Sequence, residues 1–335
     1  MSIAPFAVSL GDPAGVGPEI VAKAWEQRHS RALPCFFAVG DMASLSAVWD
    51  GPVVRIEEPG KAALIFNEAL PCLHIDDGGP VIPGRPSYEG ARSALQSLEL
   101  SAGLARSGSA GGIVTAPISK KQLYSVGFTH PGQTEFIAER CGVARSNAVM
   151  MLVGPSLRVV PITTHLPLKD VFDIISIELI KARAHAAVKG LQKNFAIDSP
   201  RLVLAGINPH AGEDGALGME EIEIFVPAVE QLRSEGIDIS GPWSADSMFH
   251  ERARAQYDAA LCPYHDQALI PVKTLHFDEG VNMTLGLPIV RTSPDHGTAF
   301  GIAGKGEAHP GAMIAAIEVA AISAENRATY CRAAG

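Results

Sequence analysis

The sequence predicts an α/β fold built on a mixed, largely parallel sheet. Three observations carry this. Short apolar, β-rich runs alternate with amphipathic helical patterns along the 335 residues. Glycine and proline punctuate these runs instead of gathering into a linker. One pair of runs lies too close in sequence for a parallel crossover, which makes the sheet mixed.

Taken in order, FAVSL (6–10) reads as a buried strand. GDPAGVG (11–17) follows as a tight turn, and PEIVAKAWEQ (18–27) as a helix with Pro18 at its start. Helices are expected over 90–106, 132–141, 175–194, 218–235 and 311–325, and strands over 111–116, 147–153, 157–164, 201–207 and 258–264. Only GPS and a flanking residue separate 147–153 from 157–164, so that pair is expected to be antiparallel. ALIPV (268–272) and GLPIV (286–290) are also strand-like.

Composition narrows the function. With 47% hydrophobic and 19% charged residues, the chain can bury one large core or two moderate ones. The net charge of −9 and the lack of a basic run argue against a nucleic-acid binder. An anionic substrate would then need a local positive pocket. The five cysteines are far apart and form no CxxC, so reduced thiols are expected. MSIAPFAVSLGDPAG has no basic region followed by a long apolar stretch, and no run approaches the roughly 18 apolar residues of a membrane span. No signal peptide is expected, and the expected location is the cytoplasm.

Three histidines follow strand-like runs: His165 ends VVPITTH, His210 ends LVLAGINPH and His265 ends DAALCPYH. Any one alone reads as a hydrogen-bonded loop residue. Three placed alike at the carboxyl ends of strands, where open α/β sheets bind ligands, read as a divalent metal site with open positions. Asp246 and Asp266 lie near in sequence pattern and could ligate, orient a histidine or take a proton. Histidine with carboxylate suits zinc, cobalt or manganese, and magnesium if waters complete the shell.

Lys273, Arg291 and Asn282 follow or lie between strand-like runs and suit a phosphate or carboxylate. Gln133 and Thr134, in HPGQTEF, stand at an expected helix start, where free backbone N–H groups favour anions. There is no strand-linked GxGxxG; residues 293–312 form instead a loop rich in Gly, His, Asp and Thr that suits close approach to a ligand.

Read together, GDPAGVGPEI, TAPISK, HPGQTEF, THLPL, GINPHAGE, YHDQALIPVK, VNMTLGLPIVRTSPDHGTAF and IAGKG resemble, in order, the 4-hydroxythreonine-4-phosphate dehydrogenase family of pyridoxal phosphate biosynthesis. The likeness runs from about residue 6 to about 325. The first and last segments also look like isopropylmalate and isocitrate dehydrogenases, which bind NAD without a GxGxxG. The resemblance implies a two-lobed, isopropylmalate-dehydrogenase-like fold, with 1–130 plus 292–335 as one lobe and 131–291 as the other. It implies NAD or NADP and a divalent metal (zinc, magnesium or cobalt), with His165, His210 and His265 as ligands, one of them given across the interface of a homodimer.

It further implies substrate contacts by Gln133, Thr134, Lys273, Asn282 and Arg291, with the cofactor against Asp295, His296, Gly297 and Thr298. Asp246 is a candidate base. Gln133 departs from the family pattern, in which many members carry histidine. The implied reaction oxidises 4-phosphohydroxy-L-threonine to a β-keto acid that loses carbon dioxide to give 3-amino-2-oxopropyl phosphate. Two other readings are a dehydrogenase of D-erythronate or D-threonate 4-phosphate and, from a different class, a phosphate acyltransferase-like enzyme.

Overall fold

The computed structural model describes residues 3–76 and 79–333. Twelve strands occur among the described residues. In chain order they are β1 (Phe6–Ser9), β2 (Phe36–Gly40), β3 (Val53–Ile56), β4 (Leu70–His74), β5 (Ile113–Thr115) and β6 (Val149–Gly154). Then follow β7 (Leu157–Pro161), β8 (Arg201–Ala205), β9 (Asp238–Trp243), β10 (Ala259–Cys262), β11 (Val281–Leu285) and β12 (Arg291–Pro294).

Packing divides the chain into two units, one running up to Ala148 together with Leu287–Glu325, the other Val149–Gly286 together with residues from Asn326 onward. These divisions fall at 148/149 and 286/287, not at 130/131 and 291/292, and the last helix is shared between units. The reason lies in the packing of two segments. The helix Gln133–Arg140 buries Phe136, Ile137 and Ala138 with Leu98 and Ile113 of the first unit. Arg291 opens a strand that pairs with Ile113 of the same unit.

The first unit has strand order β3-β4-β2-β1-β5-β12, every pair parallel. β1 and β2 are buried at every position, as continuous apolar runs covered on both faces should be. The helix Tyr88–Ser107 is set by Ser87, whose hydroxyl accepts from the N–H of Gly90, and by Gly108, left-handed at φ 78°. GDPAGVG is a turn leading into the helix Gly17–Glu26, which has proline in its first turn. A side chain at Gly11 would meet the Pro117 carbonyl at 2.2 Å, so only glycine fits there.

The second unit has strand order β11-β6-β7-β10-β8-β9. β6 pairs antiparallel with β7, as the short GPS connection requires, and with β11; β7-β10, β10-β8 and β8-β9 are parallel. Its core gathers Leu152, Val159, Val203, Ala260 and Cys262 beneath Ala268, Leu269 and Val272.

Two sequence expectations change in the second unit. ALIPV is not a strand but part of the helix His265–Leu275; Ala268, Leu269 and Val272 are buried while Ile270 is exposed, a helical spacing that a five-residue apolar run does not reveal. The expected helix 218–235 begins with one turn of π-helix, Glu221–Phe225, before the α-helix Val226–Ser234. All five cysteines are free. No helix among the described residues is long and apolar enough to cross a membrane.

Candidate active site

In the second unit the ends of β7 and β10 are tied together beyond the sheet. Ile162 N–H donates to the Cys262 carbonyl at 2.8 Å. Thr163 then donates to the Pro263 carbonyl twice, from its N–H at 3.2 Å and its hydroxyl at 2.7 Å. Two residues further on, His165 and His265 stand side by side with ring centroids 5.7 Å apart. His165 holds a left-handed backbone at φ 53°; His265 is the first residue of its helix. They line a cavity of about 330 Å³ with Thr163, Leu168, Val171 and Tyr264. Asp266 accepts from His265 Nδ1 at 2.7 Å. A carboxylate partner places the proton on Nδ1 and leaves the Nε2 lone pair outward, the arrangement that readies a histidine for a metal.

His210 follows β8 on a short helical segment, Pro209–Gly215. From His210 to Asp214 every φ is positive, between 44° and 81°. Four of these five residues are not glycine, and each L-residue held this way costs about 1–2 kcal/mol. The run is anchored upstream. Glu221 accepts from the N–H groups of Ile207 and Asn208, both at 2.8 Å, and from Asn208 Nδ2 at 2.9 Å. Gln267, on the helix that His265 begins, donates to the Gly206 carbonyl at 2.8 Å, and its own Oε1 is buried with no partner among the described residues. Among the described residues no three potential ligands gather. The chain therefore makes neighbours of His165 and His265 and does not bring His210 into a three-ligand group. Asp246 sits on the turn Ala245–Ser247 after β9, exposed, and its Oδ1 accepts from the Ser244 hydroxyl.

Asn282 lies on β11 opposite Leu152, with Oδ1 buried and no partner among the described residues. Lys273 is half-buried on the last turn of the helix His265–Leu275 and does not follow a strand.

In the first unit, Arg291 begins β12 and is 3% exposed. Its guanidinium donates to the hydroxyls of Thr115 at 3.0 Å and Thr134 at 3.4 Å. Burial pushes its pKa down to about 10, with Glu135 opposing the shift, so the group stays cationic at neutral pH. GLPIV, expected as a strand ending just before Arg291, is not one, and Arg291 itself opens β12. Proline and glycine in GLP suit a break before β12, and only at Val290, whose carbonyl accepts from Ile113 N–H at 2.9 Å, does the chain rejoin β5. Gln133 opens the helix that carries Thr134. Its Nε2 donates to the Ala116 carbonyl at 3.2 Å, which leaves Oε1 buried with no partner among the described residues.

Asp295, His296, Gly297 and Thr298 follow β12 directly. The Thr298 carbonyl accepts from Val16 N–H at 2.9 Å, and a side chain at Gly15 would come within 3.0 Å of it. Further along, Glu19 is buried and accepts from the N–H groups of Gly304 and Ala308, while Lys23 donates to the carbonyls of Gly306 and Ala308. Around Gly297 there is open space, so its main chain can be approached closely.

The donor chemistry suits the groups that the sequence reading implies. Two adjacent imidazoles, one oriented by a carboxylate, fit a divalent ion. A loop pinned along its length with an open glycine fits a nucleotide laid against main chain. Of the supporting residues, Glu19, Thr115 and Gln267 lie inside the family-like segments GDPAGVGPEI, TAPISK and YHDQALIPVK but carry no chemistry that singles them out, and Thr163 and Glu221 lie outside every such segment. The one available signal was acidic residues within otherwise apolar helix starts, PEIV and EEIEIF.

Known proteins resemble the chain over nearly its whole length. Residues 33–320 match the family model described as pyridoxal phosphate biosynthetic protein PdxA. A Zymomonas mobilis protein named 4-hydroxythreonine-4-phosphate dehydrogenase is 57% identical over 98% of each chain. One of the same name from Erythrobacter litoralis is 53% identical over 97% of this chain and 98% of its own. The crystal structure of a 4-hydroxythreonine-4-phosphate dehydrogenase from Klebsiella pneumoniae aligns with a TM-score of 0.85 at 34% identity, over 96% of this chain and 98% of that one.

Proposed function

The chain belongs to the PdxA family of pyridoxal phosphate biosynthetic proteins, and from that membership we propose that it oxidises 4-phosphohydroxy-L-threonine with NAD or NADP and a divalent cation. The carbon bearing the alcohol loses a hydride and its oxygen loses a proton. The product is 2-amino-3-oxo-4-phosphonooxybutanoate, a β-keto acid. Loss of carbon dioxide leaves an electron pair that takes up a proton, giving 3-amino-2-oxopropyl phosphate.

The observation that carries this reading is the buried Arg291–Thr134 contact, with the orphan acceptor of Gln133 one residue away. A buried guanidinium supplies a fixed positive charge with a planar set of donors that suits an anionic end of the substrate. The Gln133 Oε1 is an acceptor in want of a donor, and the ammonium of the amino acid supplies one. Neither erythronate nor threonate 4-phosphate has that group. Asn282 and Lys273 add a hydrogen bond and a second positive charge. His165, His265 and His210 would hold the ion, and the loop 295–298 would hold the dinucleotide. When bound, the nicotinamide accepts the hydride and the ion supplies Lewis acidity at the alcohol. Asp246, with one oxygen fixed by Ser244, takes the proton.

As the family resemblance implies, one of the three histidine ligands would come from a second copy in a homodimer. Leu166, Leu168, Phe172 and Ile174, exposed next to His165, suit burial against such a partner. The test is a metal-reconstituted assay following NADH formation. It compares 4-phosphohydroxy-L-threonine with erythronate and threonate 4-phosphates. Higher kcat/KM for either non-amino acid would overturn the substrate assignment, and activity of a fully chelated enzyme would overturn the metal.

A further inference from the structure

His210 occupies a backbone conformation that its own sequence does not favour, so something outside the segment must hold it. The only carboxylate found bonded to the main chain just ahead of it, among the described residues, is that of Glu221. In sequence Glu221 reads as one more acid on an amphipathic helix, in GMEEIEIF. In the structure it is 2% exposed, and its hydrogen-bond partners are amides of Ile207 and Asn208. A buried carboxylate is costly unless it is fully hydrogen-bonded, so this placement is not incidental.

Two glycines make room for it, and a third for its partner Asn208. A side chain at Gly212 would meet Glu221 Oε2 at 2.8 Å, and one at Gly206 would meet Oε1 at 3.1 Å. One at Gly218 would meet Asn208 Nδ2 at 2.4 Å. Glu221 also begins the π-helical turn, the wider turn that recurs at functional sites. Asn208, the residue it grips by both main chain and side chain, is two positions before His210.

We infer that Glu221 is the positioning residue for His210: its carboxylate fixes the Ile207–Asn208 main chain and so sets where the His210 imidazole is presented to a metal ion. This rests on the reading of His210 as a ligand.

The experiment uses the full chain, stripped with a chelator and titrated with Co²⁺ alone. Affinity is read by competition with a chelating dye, and coordination by the visible d–d absorption. His210→Ala is the ligand control. Glu221→Ala is expected to weaken Co²⁺ binding by about 10–100-fold and to change the absorption band, as loss of a group behind a ligand does. Glu221→Gln keeps one oxygen for the two main-chain N–H groups and should fall between Ala and wild type. That variant preserves volume and carries the test if Glu221→Ala does not fold.

Loss of binding in His210→Ala with wild-type affinity and spectrum in both Glu221 variants would overturn the inference alone. So would a lowered melting temperature in chelator with an unchanged Co²⁺ spectrum, the mark of a structural role only. Wild-type Co²⁺ affinity in His210→Ala would overturn the metal reading, and the inference with it.

Discussion

Thr163 grips the Pro263 carbonyl with both its N–H and its hydroxyl, and this doubled bond at 3.2 and 2.7 Å fastens the two segments that present His165 and His265. The pair of imidazoles is thus a product of strand order: β7 and β10 are parallel neighbours, and each ends a few residues before its histidine.

Thr163→Val keeps the shape of the side chain and removes one donor. A lost hydrogen bond of this kind costs about 1 kcal/mol. Thermal unfolding of the chelated protein should show that modest loss, and Co²⁺ titration should show weakened binding. Unchanged Co²⁺ affinity would mean the histidine pair does not depend on this tie.

Arg291→Lys keeps the positive charge but loses the planar fork that reaches Thr115 and Thr134 together. It should lower kcat/KM for 4-phosphohydroxy-L-threonine by about tenfold or more, on the order of 1.4 kcal/mol. Steady-state kinetics with saturating cofactor measures this. A variant with wild-type kcat/KM would remove Arg291 from the substrate site.

Gln133→Met removes the buried acceptor and keeps the length of the side chain. A hydrogen bond to a charged group is worth about 1.5–3 kcal/mol, so kcat/KM for the amino substrate should fall by about tenfold or more. The same change should leave any slow turnover of erythronate 4-phosphate nearly as it was. Equal losses on both substrates would sink the ammonium contact.

Gly15→Ala puts a methyl group 3.0 Å from the Thr298 carbonyl and 3.1 Å from its Cβ. The loop after β12 must then shift, and KM for NAD should rise several-fold while KM for substrate stays near wild type. Gly297→Ala, by contrast, meets nothing within 4 Å and should fold normally. A large side chain there, as in Gly297→Trp, should raise KM for NAD by obstructing approach to the main chain. If both KM values rose together in Gly15→Ala, the loop would not be a cofactor loop.

What could be read from the sequence divides in part along a physical line, with the buried run FFAVG of β2 missing from the expected strands. β1, β5, β7, β8 and β10 are runs of buried apolar residues, and their pattern alone located them. β9 has the sequence DISGPW, with glycine, proline and serine half-buried in the ladder, and so has no periodicity to find. The helix His265–Leu275 contains ALIPV, where proline and a short apolar run concealed a helical spacing. The histidines, Arg291 and Gln133 stand out as candidates because their residue types carry chemistry. Their supports do not, because Thr163, Glu221 and Glu19 act through main-chain contacts with residues far off in sequence. Which unit holds each proposed substrate residue also depends on packing: Thr134 and Arg291 belong with β5, a neighbour that no local pattern announces.

The left-handed turn from His210 to Asp214 makes the chain hard to judge by melting temperature alone. Ala211→Gly would relieve about 1–2 kcal/mol of handedness penalty, yet glycine gives back about 0.4–1 kcal/mol through the greater freedom of the unfolded chain. The relief exceeds the cost by under about 1 kcal/mol, which moves the melting temperature of a chain this long by only about two degrees, so calorimetry would record a small change. Amide hydrogen exchange would record a plain one, because the new glycine lets the turn open locally while the rest of the protein stays closed. A catalogue of tolerated substitutions built on thermal stability would therefore pass over this turn, and one built on local opening would single it out.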